Sequence, residues 1–320
     1  MTRFLARRLA AAAALLVAVV SGAFLLVHAL PGGPGVIPED PRVPPSQAQR
    51  LRAAWGLDRP LPERYLRFVV AAARGDWGPS LSQHRPAAQV VAEALPWTLL
   101  LDGTALGIEL AGGLALGLLA ARRAGGRLDR LLRGATLALR AVPGFWLALL
   151  LLSAFAVRWP LLPAGGVASP AAAGGAWARL ADLVAHLALP ALAVGLPAAA
   201  GAARFVRAAL LEIAAEPFLL AAHARGLAPA RVLFGHALRA AAAPLLQLAG
   251  FSFGALLSGS LAVEVVFAWP GLGRVTFDAL AARDYPVLVA GAALAAAAVI
   301  AGSAAAEIAH AALDPRVRDA

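Results

Sequence analysis

Six stretches of about 20 predominantly apolar residues recur along the chain, and each is long enough for a helix to cross a hydrocarbon layer of about 30 Å. They run from Leu9 to Leu30, Trp97 to Ala121, about Ala135 to Val157, about Val184 to Ala203, Pro244 to Phe267, and Val287 to about Ala309. The pattern predicts an all-α polytopic membrane protein of about six transmembrane helices, with both termini on one side. The first run follows Arg3, Arg7 and Arg8 and shares that feature with a cleaved leader; its length, and the lack of a small-x-small site before Pro31, predict a retained helix.

The polar segments between the runs set the orientation. The N-terminus, the 122–133 loop, the 204–239 segment and the tail together hold 15 arginines, whereas the two short loops opposite hold four, Arg158, Arg179, Arg274 and Arg283. Positive charge gathers on the cytoplasmic side, so both termini are expected there. The organisation expected is an N-terminal helix (1–30), an extracytoplasmic segment (31–96), a membrane core (97–312) and a cytoplasmic tail (313–320). The outer segment opens on PGGPGVIPEDPRVPP, in which Pro and Gly forbid regular structure. Leu66, Val69, Val70 and Ala73 then fall at helical spacing between Pro62 and Gly75, and the segment predicts one or two short amphipathic helices on the outer membrane surface.

One segment breaks the alternation. Residues 216–244, EPFLLAAHARGLAPARVLFGHALRAAAAP, place Pro217 where a first helical turn tolerates it and Gly226 where a left-handed cap is wanted. The bracketed helix of about nine residues is roughly 13 Å long, too short to span. Pro229 restarts a helix that carries Arg231, His236 and Arg239 towards Pro244. Two readings stay open on physical grounds: a helix shaped for a groove on a cytosolic partner, or an interfacial helix lying among headgroups.

Composition agrees with the membrane reading and removes other chemistries. Apolar residues make up 61% of 320 and charged residues 14%. All 28 basic residues are Arg, so no Walker-type phosphate loop exists on this chain. Without Cys there is neither disulfide nor thiolate metal site. A net charge of +10 sits at the ends of apolar runs, which favours membrane topology over nucleic acid. The six His, at 28, 84, 186, 223, 236 and 310, form no metal-ligand spacing, and no nucleophile serine is expected. The chain is read as a non-enzyme with no cofactor or metal.

Ionisable groups inside the runs are the remaining candidates. Asp102 and Glu109 lie seven residues apart on one face of the second run, near Gly112, Gly113 and Gly117, which permit close helix approach. Glu109 either belongs to a translocation path or a subunit contact, or is an interior carboxyl bonded to a neighbouring helix. Glu264 precedes VVFAWPGLG, where Trp269, Pro270, Gly271 and Gly273 predict a non-helical outer loop. Arg283, Asp284 and Tyr285 read as an interfacial anchor with a local ion pair.

The segment AAHARGLAPARVLFGHALRAAAAP resembles the cytoplasmic loop of permease subunits of ATP-binding-cassette importers, in the dipeptide, oligopeptide and nickel branch. Ala222, Arg225, Gly226, Leu227, Arg231, Val232, His236, Ala237, Leu238, Arg239, Ala241 and Pro244 match its pattern, while Leu220 stands where the signature carries Glu. RFLARRL with HALPGGP, WGLDRPLPERYLRF, RGDWGPSL, VPGFWLALLL, LPAGG, VEVVFAWPGLGRVTFDALAARDYPVL and LDPRVR occur in the family's order, though Gly33 replaces a common acidic residue.

The resemblance implies one permease half of an importer in the bacterial cytoplasmic membrane. It implies a coupling helix within the 204–240 loop, between helices 4 and 5, whose Pro217, Ala221, Ala222, His223, Arg225, Gly226 and Leu227 meet an ATPase. The implied partners are two cytoplasmic ATPase subunits that bind the ATP, a second homologous permease, an extracytoplasmic substrate-binding protein and membrane lipid, with no nucleic acid. The implied cargo is a dipeptide, a longer peptide, a glutathione-like peptide or a nickel chelate. A proton-coupled secondary transporter using Glu109, Glu264 or Glu307 is the alternative; it predicts inverted repeats, and none is visible.

Overall fold

The computed structural model describes residues 2–29, 59–169, 175–238, 248, 250, 252, 254 and 260–313, the side chains at 2–9, 220, 223, 229–230, 233–234 and 306–313 aside. Every element named among them is helical. In chain order these are α1 (Thr2–Ala29), α2 (Leu61–Ala73), α3 (Ala87–Arg122), α4 (Arg127–Ala141), α5 (Gly144–Leu152), α6 (Ala176–Ala214), α7 (Pro217–Ala224), α8 (Pro229–Val232), α9 (Leu261–Val266), α10 (Leu272–Ala281) and α11 (Tyr285–Leu313). Single π-helical stretches, Ser153–Arg158 and Leu233–Ala237, extend α5 and α8.

Four of these helices are long and apolar enough to cross a membrane: α1 over Ala10–Ala29, α3, α6, and α11 over Tyr285–Ala305. The third predicted run is not one straight helix. It divides into α4 and α5, bent by 97° at Val142 and Pro143, because Pro143 has no amide hydrogen to continue the ladder and steers Val142 to extended backbone (φ −74°, ψ 125°). Most of the fifth run, Pro244 to Phe267, and the linker 31–58 lie outside the described residues.

Two helices outrun their predicted lengths. Helix α3 begins ten residues before Trp97 and carries Pro96 inside it, and α6 contains Pro190 and Pro197 and continues eleven residues past Ala203. At 1.5 Å per residue each exceeds roughly 50 Å, more than a bilayer core requires, so both project beyond it.

The chain divides into two compact units, residues 1–96 with 271–298, and residues 97–270 with 299–320. In the first, Val20 and Val27 of α1 meet Tyr285, Val289 and Ala293 of α11, with Phe68 and Trp77 against them. Helix α2 turns its aromatic side inwards: Tyr65 and Ser21 hydroxyls lie 2.6 Å apart, and Phe68 stacks on Phe24 with ring centroids 5.0 Å apart. Leu66 and Val70 of the predicted apolar stripe face outwards, 64% and 51% exposed. A second cluster joins Ala87, Val90, Val91 and Ala94 of α3 to Leu272 and Ala279 of α10 and Val287 and Ala290 of α11.

In the second unit α3 and α6 pack through glycine, as the spacing of Gly112, Gly113 and Gly117 predicted. A Cβ on Gly113 would stand 2.4 Å from that of Ala202, and one on Gly117 would stand 2.6 Å from that of Val206. The backbones therefore approach more closely than any side chain would allow. Ala148 of α5, Leu189 and Ala193 of α6, and Val263 and Phe267 build a further core.

Candidate functional site

The interrupting segment folds into two short helices packed on the end of α6. Helix α7 begins at Pro217 and stops after Ala224, and Gly226 takes φ +75°, a conformation a Cβ would strain. Leu227 donates its amide to the carbonyl of Ala222 at 3.4 Å, the six-to-one bond of a glycine-capped helix end, and Arg225 Nε reaches the Ala221 carbonyl at 3.2 Å. Leu219 and Ala222 of α7 are buried with Val206 and Leu210 of α6 and Val232 of α8, against Leu114, Leu118 and Ala121 of α3. Any push on α7 is thus delivered to α3 and α6 together.

That packing sorts the residues expected to meet a partner. Pro217, Ala221, Arg225 and Gly226 are exposed and Leu227 is half-buried, while the side chain of His223 lies outside the described ones. Ala222 is only 1% exposed, so its assignment to the contact face is corrected: it faces the chain's own core. Phe218, absent from the expected set, leaves 46% of its surface outside. Helical spacing alone does not give this sorting, since Phe218 and the buried Ala222 are four apart and Phe218 stands at the border of the packed face.

Beside this segment α4 is clamped to α6. Arg207 donates to the two oxygens of Asp129 from Nε and Nη2, at 2.7 and 2.8 Å, and the Gly125 amide adds a bond of 2.9 Å. Asp129 is fully buried and lies in the first turn of α4, among Arg127, Arg130 and Arg133 and before the apolar stretch starting at Ala135. The Arg207 bonds and the Gly125 amide hold its carboxyl down at about 2.

Deeper in the same unit three hydrogen bonds run between α3 and the 252–264 region. Thr98 donates to Glu264 at 2.8 Å, Ser260 to Asp102 at 3.4 Å, and Ser252 to Glu109 at 2.6 Å. The partners come in reverse order along the chain, 98, 102 and 109 on α3 against 264, 260 and 252. Asp102, Glu109 and Glu264 are all buried, and Oδ1 of Asp102 and Oε2 of Glu109 have no partner among the described residues. Glu109 is therefore bonded to a neighbouring segment, one of its two expected readings. Among the described residues no cluster of His, Asp and Glu is arranged to hold a metal ion.

Ser252 requires a correction. It occupies a Gly-Phe-Ser-Phe-Gly run at 250–254, the glycine spacing of a nucleophile elbow, against the expectation that no nucleophile serine occurs. Here the hydroxyl is 6% exposed and donates to Glu109, with no His contact among the described residues, so it serves packing rather than attack.

At the turn after α9 Trp269 is fully buried and donates its indole N–H to the Trp97 carbonyl at 2.9 Å, while the two rings meet edge to face at 5.8 Å. The non-helical stretch covers Phe267 to Gly271 and so includes Trp269 and Pro270. Gly273 is already the second residue of α10, which corrects its place in the loop. The Arg283–Asp284 ion pair is likewise not formed. Asp284 is buried and accepts from the Ser80 hydroxyl, from the Ser82 amide at 3.0 Å and from the Ser82 hydroxyl at 2.7 Å. Burial opposes its ionisation, and the serine donors outweigh it, leaving the carboxyl below its usual range.

The description "Binding-protein-dependent transport system inner membrane component" matches residues 113–319, and the corresponding N-terminal description matches residues 1–101. The chain is 32% identical over 336 residues to the dipeptide transport system permease protein DppB of Escherichia coli K12, covering 99% of each. It is 30% identical over 318 residues to the oligopeptide transport system permease protein AppB of Bacillus subtilis, again covering 99% of each. Its fold is similar to a structure of the MetNI methionine ABC transporter in an inward-facing conformation, with a TM-score of 0.56 at 20% identity, covering 71% of this chain and 97% of that one.

Proposed function

The chain belongs to the family of binding-protein-dependent transport system inner membrane components, and from that membership we propose that it forms one half of the pore of a peptide importer driven by separate ATPase chains. It is an ABC permease of the peptide branch. Di- or oligopeptides are the cargo this reading favours, because the dipeptide and oligopeptide permeases align with it end to end. Helix α7 is the element that docks in an ATPase cleft. The observation that carries this role is the two-sided burial of α7, with Leu219 and Ala222 locked into α3 and α6 while Phe218, Ala221 and Arg225 stand outside.

A short helix that is rigid on its inner side transmits a push without absorbing it. The expected assembly is completed by a second, homologous permease, two ATPases and an extracytoplasmic binding protein, with both termini of this chain in the cytoplasm. The buried carboxylates stiffen the bundle that the cargo passes.

Gly226→Val tests the docking role. A β-branched residue at φ +75° costs about 1–2 kcal/mol or more, so the mutant should lose roughly tenfold in ATPase retention after co-expression with its genomic neighbours, while membrane insertion is unchanged. Normal ATPase retention and uptake would remove α7 from the docking role. A chain that purifies alone and responds to a proton gradient would replace the importer reading with a secondary transporter.

A further inference from the structure

We propose that Arg140 is a station in the translocation path that receives the terminal carboxylate of a peptide in transit, with Glu109 behind it limiting how firmly it holds. The proposal rests on the peptide-importer reading above.

Arg140 lies in the last turn of α4, two residues before the bend that starts at Val142. Its side chain lies over Gly201 of α6: a Cβ placed there would stand 3.4 Å from Nη1 and 3.6 Å from both Cδ and Cζ. Gly201 belongs to the apolar run Val184 to Ala203, beside the Ala202 that packs on Gly113. The guanidinium therefore sits beside the α3–α6 glycine contacts, at their Gly113 end, about one turn of α6 before Arg204 and one turn of α3 from Glu109. Its positive charge acts on the Glu109 carboxylate.

Neither member of this pair is used up. Arg140 is exposed on the chain and has no hydrogen-bond or ion-pair partner among the described residues. Glu109 is 4% exposed, and its Oε2 is unpartnered while Oε1 takes the Ser252 hydroxyl. A charged group within an apolar run faces water or protein rather than lipid. A planar guanidinium is suited to two parallel bonds with a carboxylate, the one group that every unmodified peptide carries regardless of sequence. Alone it would hold that carboxylate too long. An opposing buried charge within its field lowers the affinity, and a path site must release what it binds. Glu109 is too buried to meet the cargo and acts through Arg140.

The test uses the whole complex in proteoliposomes, with this chain paired to its second permease, ATPases and binding protein. Because the chain has no Cys, Arg140→Cys introduces a single one. A charged, membrane-impermeant methanethiosulfonate should label it on this chain, and saturating dipeptide should slow labelling several-fold. In parallel, Arg140→Gln should cut uptake of a free-carboxylate dipeptide roughly tenfold and uptake of its C-terminal amide hardly at all, at matched binding-protein occupancy. Absence of labelling, as for a side chain facing lipid or protein, or equal loss for the two peptides, would overturn the proposal. If the wild-type complex hydrolyses ATP and imports peptide in those same experiments, only the Arg140 proposal falls; if it does not, the importer reading falls as well.

Discussion

Arg207 holds Asp129 with two hydrogen bonds across 78 residues of chain, and the carboxylate it holds is fully buried. The clamp joins α4 to the part of α6 that carries α7. Replacing Asp129 by Asn removes the charge and keeps the shape, so the thermal midpoint of the detergent-purified complex should fall by a few degrees at pH 7. The folded carboxyl titrates at about 2, below its unfolded value, so its contribution is complete above the ordinary carboxylate range and is lost as pH falls towards 2. The gap between wild type and Asp129→Asn should therefore narrow on acidification between about pH 4 and pH 2. A gap that widens there would contradict the assignment.

Gly113 and Gly107 make a matched pair of substitutions on one helix. A Cβ at Gly113 would collide with Ala202, whereas a Cβ at Gly107 meets nothing within 4 Å. Gly113→Ala should destabilise by about 1–3 kcal/mol as α3 and α6 are forced apart. Gly107→Ala should be neutral or slightly stabilising, since Ala favours helix over Gly by up to about 1 kcal/mol. Thermal scans of the two variants check the contrast, and equal midpoints would refute the close-packed interface.

Glu264 offers a test of the polar ladder. Glu264→Ala removes the acceptor of Thr98 and opens a cavity, and should cost about 1–3 kcal/mol in stability. Glu264→Gln keeps an acceptor oxygen and should cost less than the alanine variant. If Gln proves as damaging as Ala in the same melt while peptide uptake also fails, the carboxylate charge itself is required.

Asp284 secures the 80–82 loop from outside the spanning segments. Asp284→Asn should speed amide exchange at Ser82 by roughly tenfold at neutral pH. The wild-type carboxyl lies below its usual range, so the protection it gives is present above that range and is lost as pH falls through the lowered value. Exchange measured down a pH series, corrected for intrinsic rates, reads this directly; protection that grows on acidification would count against it.

The helical, membrane-spanning character of the chain was legible because long apolar runs admit few other structures. The glycine contacts of α3 and the Gly226 cap were legible too, each resting on a residue whose missing side chain has one structural use. The length of α3 was hidden because Pro96 looks like a boundary, yet the helix passes through it. The bend of the third run was hidden for the opposite reason: Pro143 was read as part of an apolar stretch. Asp284 shows the limit most plainly. Its neighbour Arg283 suggests an ion pair, but serines two hundred residues away take the carboxylate. Arg140 was passed over because it lies within the predicted third run, where only the bend and Gly201 give it a place.

The three bonds between α3 and the 252–264 region have a mechanical consequence. They are fixed at Thr98, Asp102 and Glu109 on one side and at Glu264, Ser260 and Ser252 on the other. A slip of one residue along the axis would misalign all three rungs at once, in a setting where no solvent can substitute. The six bonded residues therefore behave like the meshed teeth of a rack, resisting a slide of one side past the other. A motion that preserves all three bonds has to carry these six residues together and find its play at another seam.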